Sequence, residues 1–250
     1  MRLQAPRYSH RRWLLARALL RALTRLYSRV RVEGLEKLPD GPSILCFSHQ
    51  NWADPFYLFG TLPRRPRVYF FGPEQEDMRR GFRNRVMRWS GTVVPFQPGK
   101  RGLVAATRWV EALVASGATI AIAGEGRIHV GESELLPLLD GPAYLALRAG
   151  VPIVPVAING TSWLGFRRLV RVRFGAQITV PEGTAGGASR EAVDETTSRT
   201  WAALHALVAD FPDGPPPRAV GRRLTELFND WPEGARPPVP ARDDGSGTSA

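Results

Sequence analysis

Three short apolar runs constrain this chain most: S-I-L-C-F at 43–47, A-T-I-A-I-A at 118–123 and V-P-I-V-P-V-A-I at 151–158. Each has the length of a strand and almost no polar interruption. That pattern belongs to strands buried on both faces, inside a sheet covered by helices on each side. Shorter strand signals stand at V-R-V-E, R-V-Y-F-F (67–71), T-V-V-P-F (92–96) and V-R-V-R-F (170–174). Helical stretches lie between them, over 76–90, 101–116 closed by Gly117, Leu138–Arg148 stopped by Gly150, and Glu191–Ala209. Strands alternating with helices predict an α/β fold, a layered αβα domain with a mixed, largely parallel sheet. The two prolines of 151–158 predict an irregular edge strand there, and Gly175 predicts a pairing of 170–174 with 177–180.

The first 30 residues form a separate unit. Eight arginines occur there and no acidic residue. Arg17, Arg21, Arg25 and Arg29 recur every four residues, and Leu15, Leu19, Ala22, Leu26 and Val30 recur at helical spacing. A helix over 11–30 with a basic stripe beside an apolar one suits the surface of an anionic membrane. An ordinary terminal helix docked on the domain is the plainer alternative. The expected organisation is a membrane-associating helix over 1–30, a main domain over 31–210, an extension over 211–234 with a short helix near 218–229, and a disordered tail over 235–250.

The formal charge of +11 calls for an anionic partner. Nucleic acid, a membrane surface and phosphorylated small molecules all fit that charge. Arginines and lysines crowd the stretch from Arg64 to Arg101, including Arg79, Arg80 and Arg83, as a solvated face or as phosphate contacts. The single cysteine, Cys46, rules out a disulfide within the chain and reads as a buried apolar residue. No apolar stretch reaches the length of a membrane span. The N-terminal arginines break any signal-peptide core.

Two segments carry the chemistry. In F-S-H-Q-N-W-A-D-P-F (47–56), His49 and Asp54 follow a strand. A histidine can take a proton near neutral pH, and a carboxylate on its other ring nitrogen would fix the tautomer. Five positions along a regular helix would turn the two apart, so the pair requires a bend between them. Asp54 is otherwise a helix N-cap. In G-E-G-R-I-H (124–129), two glycines flank Glu125, and Arg127 follows. Such a loop can bring N–H groups and a guanidinium to a phosphate. A lone motif of this kind fits a solvated turn holding an internal Glu–Arg pair more readily. Both segments follow strand ends, where ligands of open α/β sheets bind.

The order of these motifs resembles the glycerophospholipid acyltransferase family, typified by bacterial 1-acylglycerol-3-phosphate acyltransferases. The family's Asn-His-x-Ser-x-x-Asp is similar to S-H-Q-N-W-A-D (48–54), with His and Asp kept and Ser48 and Asn51 differing. Its Phe-Pro-Glu-Gly is similar to A-G-E-G (123–126), and its Val-Pro-Ile-x-Pro-Val to V-P-I-V-P-V (151–156). The likeness spans about residues 30–180, and several ordered motifs are more specific than one. The family's Gly-x-x-Phe-Ile-Asp-Arg is replaced by G-T-V-V-P-F-Q (91–97), where Gln97 stands near the expected arginine. E-G-R-I with D-G-P-A-Y (140–144) further resembles the 2-acylglycerophosphoethanolamine acyltransferase branch, which points to a larger acceptor headgroup.

The resemblance implies an O-acyltransferase. His49 is the expected general base and Asp54 its partner, while Glu125, Gly126 and Arg127 shape acceptor and phosphate binding. The expected acceptor is a lysophospholipid, and the donor is acyl-CoA or acyl-carrier protein. No metal, cofactor or nucleic acid is expected. The expected location is the cytoplasmic face of a membrane, peripheral or monotopic. A glycolipid or other membrane acceptor is the alternative within the family, and a non-catalytic basic membrane- or nucleic-acid-binding protein the alternative outside it.

Overall fold

The computed structural model describes residues 9–73, 85–96, 100–129, 131–181, 187–211 and 217–229. The expected tail over 235–250, the arginines at 79, 80 and 83, and Gln97 lie outside the described residues, as does the 76–84 part of the predicted helix over 76–90. In chain order the elements are α1 (His10–Tyr27), β1 (Arg29–Glu33), a 3-10 turn (Leu35–Lys37), β2 (Ile44–Phe47), α2 (Asp54–Thr61) and β3 (Arg67–Pro73). They continue with α3 (Arg85–Ser90), β4 (Val93–Phe96), α4 (Lys100–Ala115), β5 (Ala118–Ala123) and α5 (Gly141–Ala149). Then come β6 (Ile153–Asn159), β7 (Leu169–Phe174), α6 (Arg190–Val208) and α7 (Ala219–Phe228).

The seven strands form one sheet in the order β1-β7-β6-β2-β5-β3-β4. All pairs are parallel except β6 with β7. The expected mixed, largely parallel sheet is therefore present. Side chains alternate across it. Leu45 and Phe47 of β2 pack with Trp13 and Leu20 of α1 and Phe59 of α2 on one face. Ile44 and Cys46 pack with Val110 of α4, Leu147 of α5 and Val193 of α6 on the other. Both faces of β2 are thus covered, and all four of its side chains are buried. Each fully buried Leu or Ile contributes roughly 1.5–3 kcal/mol, which explains why the interior strands read as unbroken apolar runs. Cys46 is buried as expected, and burial pushes its thiol up to about 12.

Several expectations need correction. Strand β6 is interior, between β7 and β2, not an edge. Pro155 is tolerated because its carbonyl accepts from Gly175 N, so its nitrogen faces the same way. That gap separates the β7 pairing, which begins at Val156, from an isolated bridge at Ile153. No ladder bond is therefore lost. The same bridge takes Ile178, so within 177–180 it is Ile178 alone that pairs, with the start of β6 rather than with β7. Helix α5 begins at Gly141, three residues later than Leu138, with Pro142 in its first turn.

Helix α1 also departs from its predicted length. It ends at Tyr27, and Arg29 and Val30 belong to β1. Its docked stripe is Trp13, Ala16 and Leu20, while Leu15, Leu19, Leu23 and Leu26 are exposed. The helix crosses α2 at Gly60, where a Cβ would stand 3.1 Å from Arg21 N. A side chain at this position would push the two backbones apart by a few tenths of an ångström.

Candidate active site

Strands β2 and β5 end level with each other, beside the longer β6. Phe47 of β2 lies opposite Ala123 of β5 and Val156 of β6. Two loops therefore leave the sheet side by side: 48–53 after β2 and 124–129 after β5. Gly124 N donates to Phe47 O at 2.9 Å and binds the second loop to the first strand. A Cβ on Gly124 would meet Cys46 Sγ at 2.7 Å, so the close approach needs glycine. Gly126 has φ 65°, and a Cβ there would meet Leu139 Cδ1 at 2.2 Å. Gly124 thus answers to packing and Gly126 to its positive φ.

The bend between His49 and Asp54 is present. His49 Nδ1 lies 3.0 Å from Asp54 Oδ2. Asp54 is fully buried and is the first residue of α2. The same oxygen accepts Gln50 N–H at 2.7 Å and Asn51 N–H at 2.8 Å. Asp54 is therefore not the N-cap. That position is Ala53, which makes no side-chain cap bond. The carboxylate instead reaches backward and draws the loop around itself, at a helix N-terminus that favours negative charge. Asn51 Oδ1 accepts Ala53 N–H at 2.8 Å and tightens the turn. With an acceptor at Nδ1, the neutral ring carries its proton there and leaves Nε2 as a lone pair. The His49 side chain is 13% exposed, and its ring stands edge-on to Phe47 at 5.8 Å.

Glu125 is buried, which excludes the solvated Glu–Arg turn. Its Oε1 accepts the His49 N–H at 2.9 Å, and its Oε2 accepts the Leu136 N–H at 3.1 Å. His129 Nε2 lies 3.1 Å from the same Oε2 and 3.0 Å from Glu134 O. Facing two oxygens, Nε2 carries the ring proton. His129 N also donates to His49 O at 3.2 Å. The main chain of His49 is thus held at both its N–H and its C=O by the 125–129 turn. Arg127, in contrast, is exposed.

Burial favours the neutral form of both buried partners. It pushes Glu125 up to about 7, against the pull of the His49 and Leu136 N–H groups, and His129 down to about 4. The consequences for stability have opposite signs. Between about 4.5 and 7 the native Glu125 binds more protons than the unfolded chain, so its contribution falls as pH rises. Between about 4 and 6.5 the unfolded His129 binds more protons, so its contribution rises. The wild-type curve from this pair should be nearly flat from pH 5 to 6.5. In His129→Phe, stability should fall with rising pH from about 4.5 to 7. Urea midpoints across that range check both.

Several residues here have roles that no sequence motif assigns. His129 stands four after Glu125, a spacing that could have suggested a pair. Glu132 is buried, and its carboxylate accepts the Ser162 N–H at 3.2 Å while its carbonyl accepts from Gln50 Nε2 at 3.3 Å. Asn229, just past α7, accepts the Trp52 N–H at 2.9 Å. Nothing local to Asn229 announces a partner 177 residues away.

A family model described as Acyltransferase matches residues 29–159, just over half of the chain. The chain belongs to this acyltransferase family. Among similar proteins is a 1-acyl-sn-glycerol-3-phosphate acyltransferase of Pseudomonas aeruginosa, 25% identical over 204 residues, covering 76% of this chain and 73% of that protein. Among solved structures, the 1-acyl-sn-glycerophosphate (LPA) acyltransferase PlsC from Thermotoga maritima superposes with a TM-score of 0.59. That likeness has 22% identity and covers 80% of this chain and 81% of the other. It supports the fold alone. The matched family region of the acyltransferase includes His49, Asp54 and the whole 124–129 turn. Helices α6 and α7 lie outside it.

Proposed function

We propose that this acyltransferase moves a fatty acyl group from an acyl thioester to the free hydroxyl of a lysophospholipid of the 1-acylglycerol-3-phosphate type. The reading rests on one observation above all: His49 carries a buried carboxylate on Nδ1 and leaves Nε2 without a hydrogen-bond partner among the described residues. Nε2 takes the proton of the acceptor hydroxyl, and that oxygen attacks the thioester carbonyl. A C–O bond forms, the tetrahedral adduct collapses and the C–S bond breaks. The departing thiolate recovers the proton from the imidazolium, which Asp54 has stabilised. Backbone N–H groups near Gly126 are suited to the oxyanion. The donor is acyl-CoA or acyl-carrier protein, either of which brings anionic groups to a chain of charge +11.

Arg127 is the proposed phosphate ligand, with Glu125 and Gly126 holding the turn that presents it. Arg127→Ala should raise KM for lysophosphatidate about ten-fold, the loss of one charge-assisted contact. KM for the acyl donor should stay nearly constant.

The acceptor lies in a bilayer, and α1 provides the proposed contact. Its exposed Leu15, Leu19, Leu23 and Leu26 stand beside exposed Arg11, Arg12 and Arg25. Among the described residues no helix is long and apolar enough to cross a membrane. Peripheral attachment by α1 to an anionic surface fits that geometry.

The test is turnover by the purified protein with labelled acyl-CoA or acyl-carrier protein and a panel of lysolipids. Lysophosphatidate should be converted fastest. A faster rate on a larger headgroup or a glycolipid would reassign the acceptor. No transfer to any of them would overturn the proposal.

A further inference from the structure

Eleven large apolar side chains are exposed among the described residues. Four are the α1 leucines, and three more, Phe166, Val220 and Leu227, lie on elements that adjoin α1 in a chain of contacts. The Phe166 ring packs edge-on against Tyr27, the last residue of α1, at 6.2 Å. The same segment docks α7: Thr225 Oγ1 accepts the Leu164 N–H at 2.8 Å, and a Cβ on Gly221 would stand 2.2 Å from Leu164 O. Exposed apolar groups that collect on adjoining elements mark an interaction surface.

Helix α7 has two distinct faces. Gly221 and Thr225, four apart, are buried against the domain. Val220 and Leu227, seven apart and so on one stripe, are 77% and 62% exposed. Arg223 falls between them, and Arg218 and Arg222 are exposed as well. Leucine and valine interleaved with arginine fit the boundary between acyl chains and anionic headgroups. At its end, Asn229 is 3% exposed and accepts the Trp52 N–H, inside the loop that joins His49 to Asp54.

We propose that α7 is a second lipid-contact helix, for an anionic phospholipid surface, and that through Asn229 it is a positioning element for the His49–Asp54 loop. The inference rests on the proposed lipid acceptor, and its test is separable from that reading. Full-length protein is titrated with vesicles of phosphatidylethanolamine with and without phosphatidylglycerol. Val220→Glu/Leu227→Glu should bind the anionic vesicles about ten-fold more weakly or worse. Its turnover of a short-chain, monomerically dissolved lysophosphatidate should stay within about two-fold of wild type. Asn229→Ala should leave vesicle binding unchanged and lower kcat about ten-fold, with KM for the donor held. Asn229→Asp, which keeps an oxygen for the Trp52 N–H, should recover most of that kcat. His49→Ala should bind vesicles as wild type, so an inactive protein that still loses vesicle binding in the double variant supports the lipid contact independently of catalysis. Wild-type vesicle binding by the double variant would overturn the proposal. So would wild-type kcat in Asn229→Ala, or an Asn229→Asp loss as large as that of Asn229→Ala.

Discussion

His49→Ala is expected to lower kcat for acyl transfer by about 10²–10⁴-fold, the usual worth of a positioned general base. The loss should fall on kcat, because the ring is needed when the acceptor proton moves rather than when substrates bind. Stability should change little. The His49 side chain is partly exposed, and among the described residues its ring is hydrogen-bonded only to Asp54. With the ring gone, Asp54 Oδ2 still accepts the Gln50 and Asn51 N–H groups. Glu125 and His129 still hold the main chain at position 49, since those bonds need no ring. Steady-state kinetics with a thermal melt check the result. Near-wild-type kcat in a folded variant would remove His49 as the base.

Asp54→Ala is expected to strike stability and activity together. The change orphans two buried N–H donors and frees the imidazole from the carboxylate on Nδ1. Hydrogen bonds to a charged acceptor are worth about 1.5–3 kcal/mol each, so a cost of about 3 kcal/mol or more is expected. The loop from 50 to 53 should lose its shape, and kcat should fall at least as far as in His49→Ala. Asp54→Asn separates the two roles. Its amide oxygen can still accept from the Gln50 and Asn51 N–H groups, so stability should largely recover. An amide cannot stabilise the imidazolium as a carboxylate does, so kcat should stay about 10²-fold or more below wild type. Chemical denaturation and single-turnover rates distinguish the outcomes. Wild-type kcat in Asp54→Asn would show that the ring needs no charged partner.

What could be read in advance followed from where information is local. The run at 118–123 is β5 to the residue, because a strand buried on both faces admits little but apolar side chains. His49 and Asp54 could be paired on paper because the bend they need is short and stands between a strand and a helix. Which face of α1 docks on the domain is less legible, for a clear reason. Leucine or alanine occupies both faces, and periodicity does not tell which face docks. Trp13, the most bulky apolar group on the buried face, was the better guide. Pro155 misled because a proline breaks a ladder only where its nitrogen would have donated. That depends on which neighbour lies beside it, a property of topology. The role of Glu125 depends on β5 being the neighbour of β2, and the role of Asn229 on where α7 lands. Neither is written in the residues that flank them.

The clamp on His49 has a consequence for motion. Its amide hydrogen points into a buried carboxylate, and its carbonyl is engaged by a second, equally buried residue of the same turn. A segment of this kind does not breathe as surface loops do. Deuterium should enter at the His49 amide about as slowly as it enters the central strands, and any substitution at Glu125 should speed that entry long before the fold itself gives way.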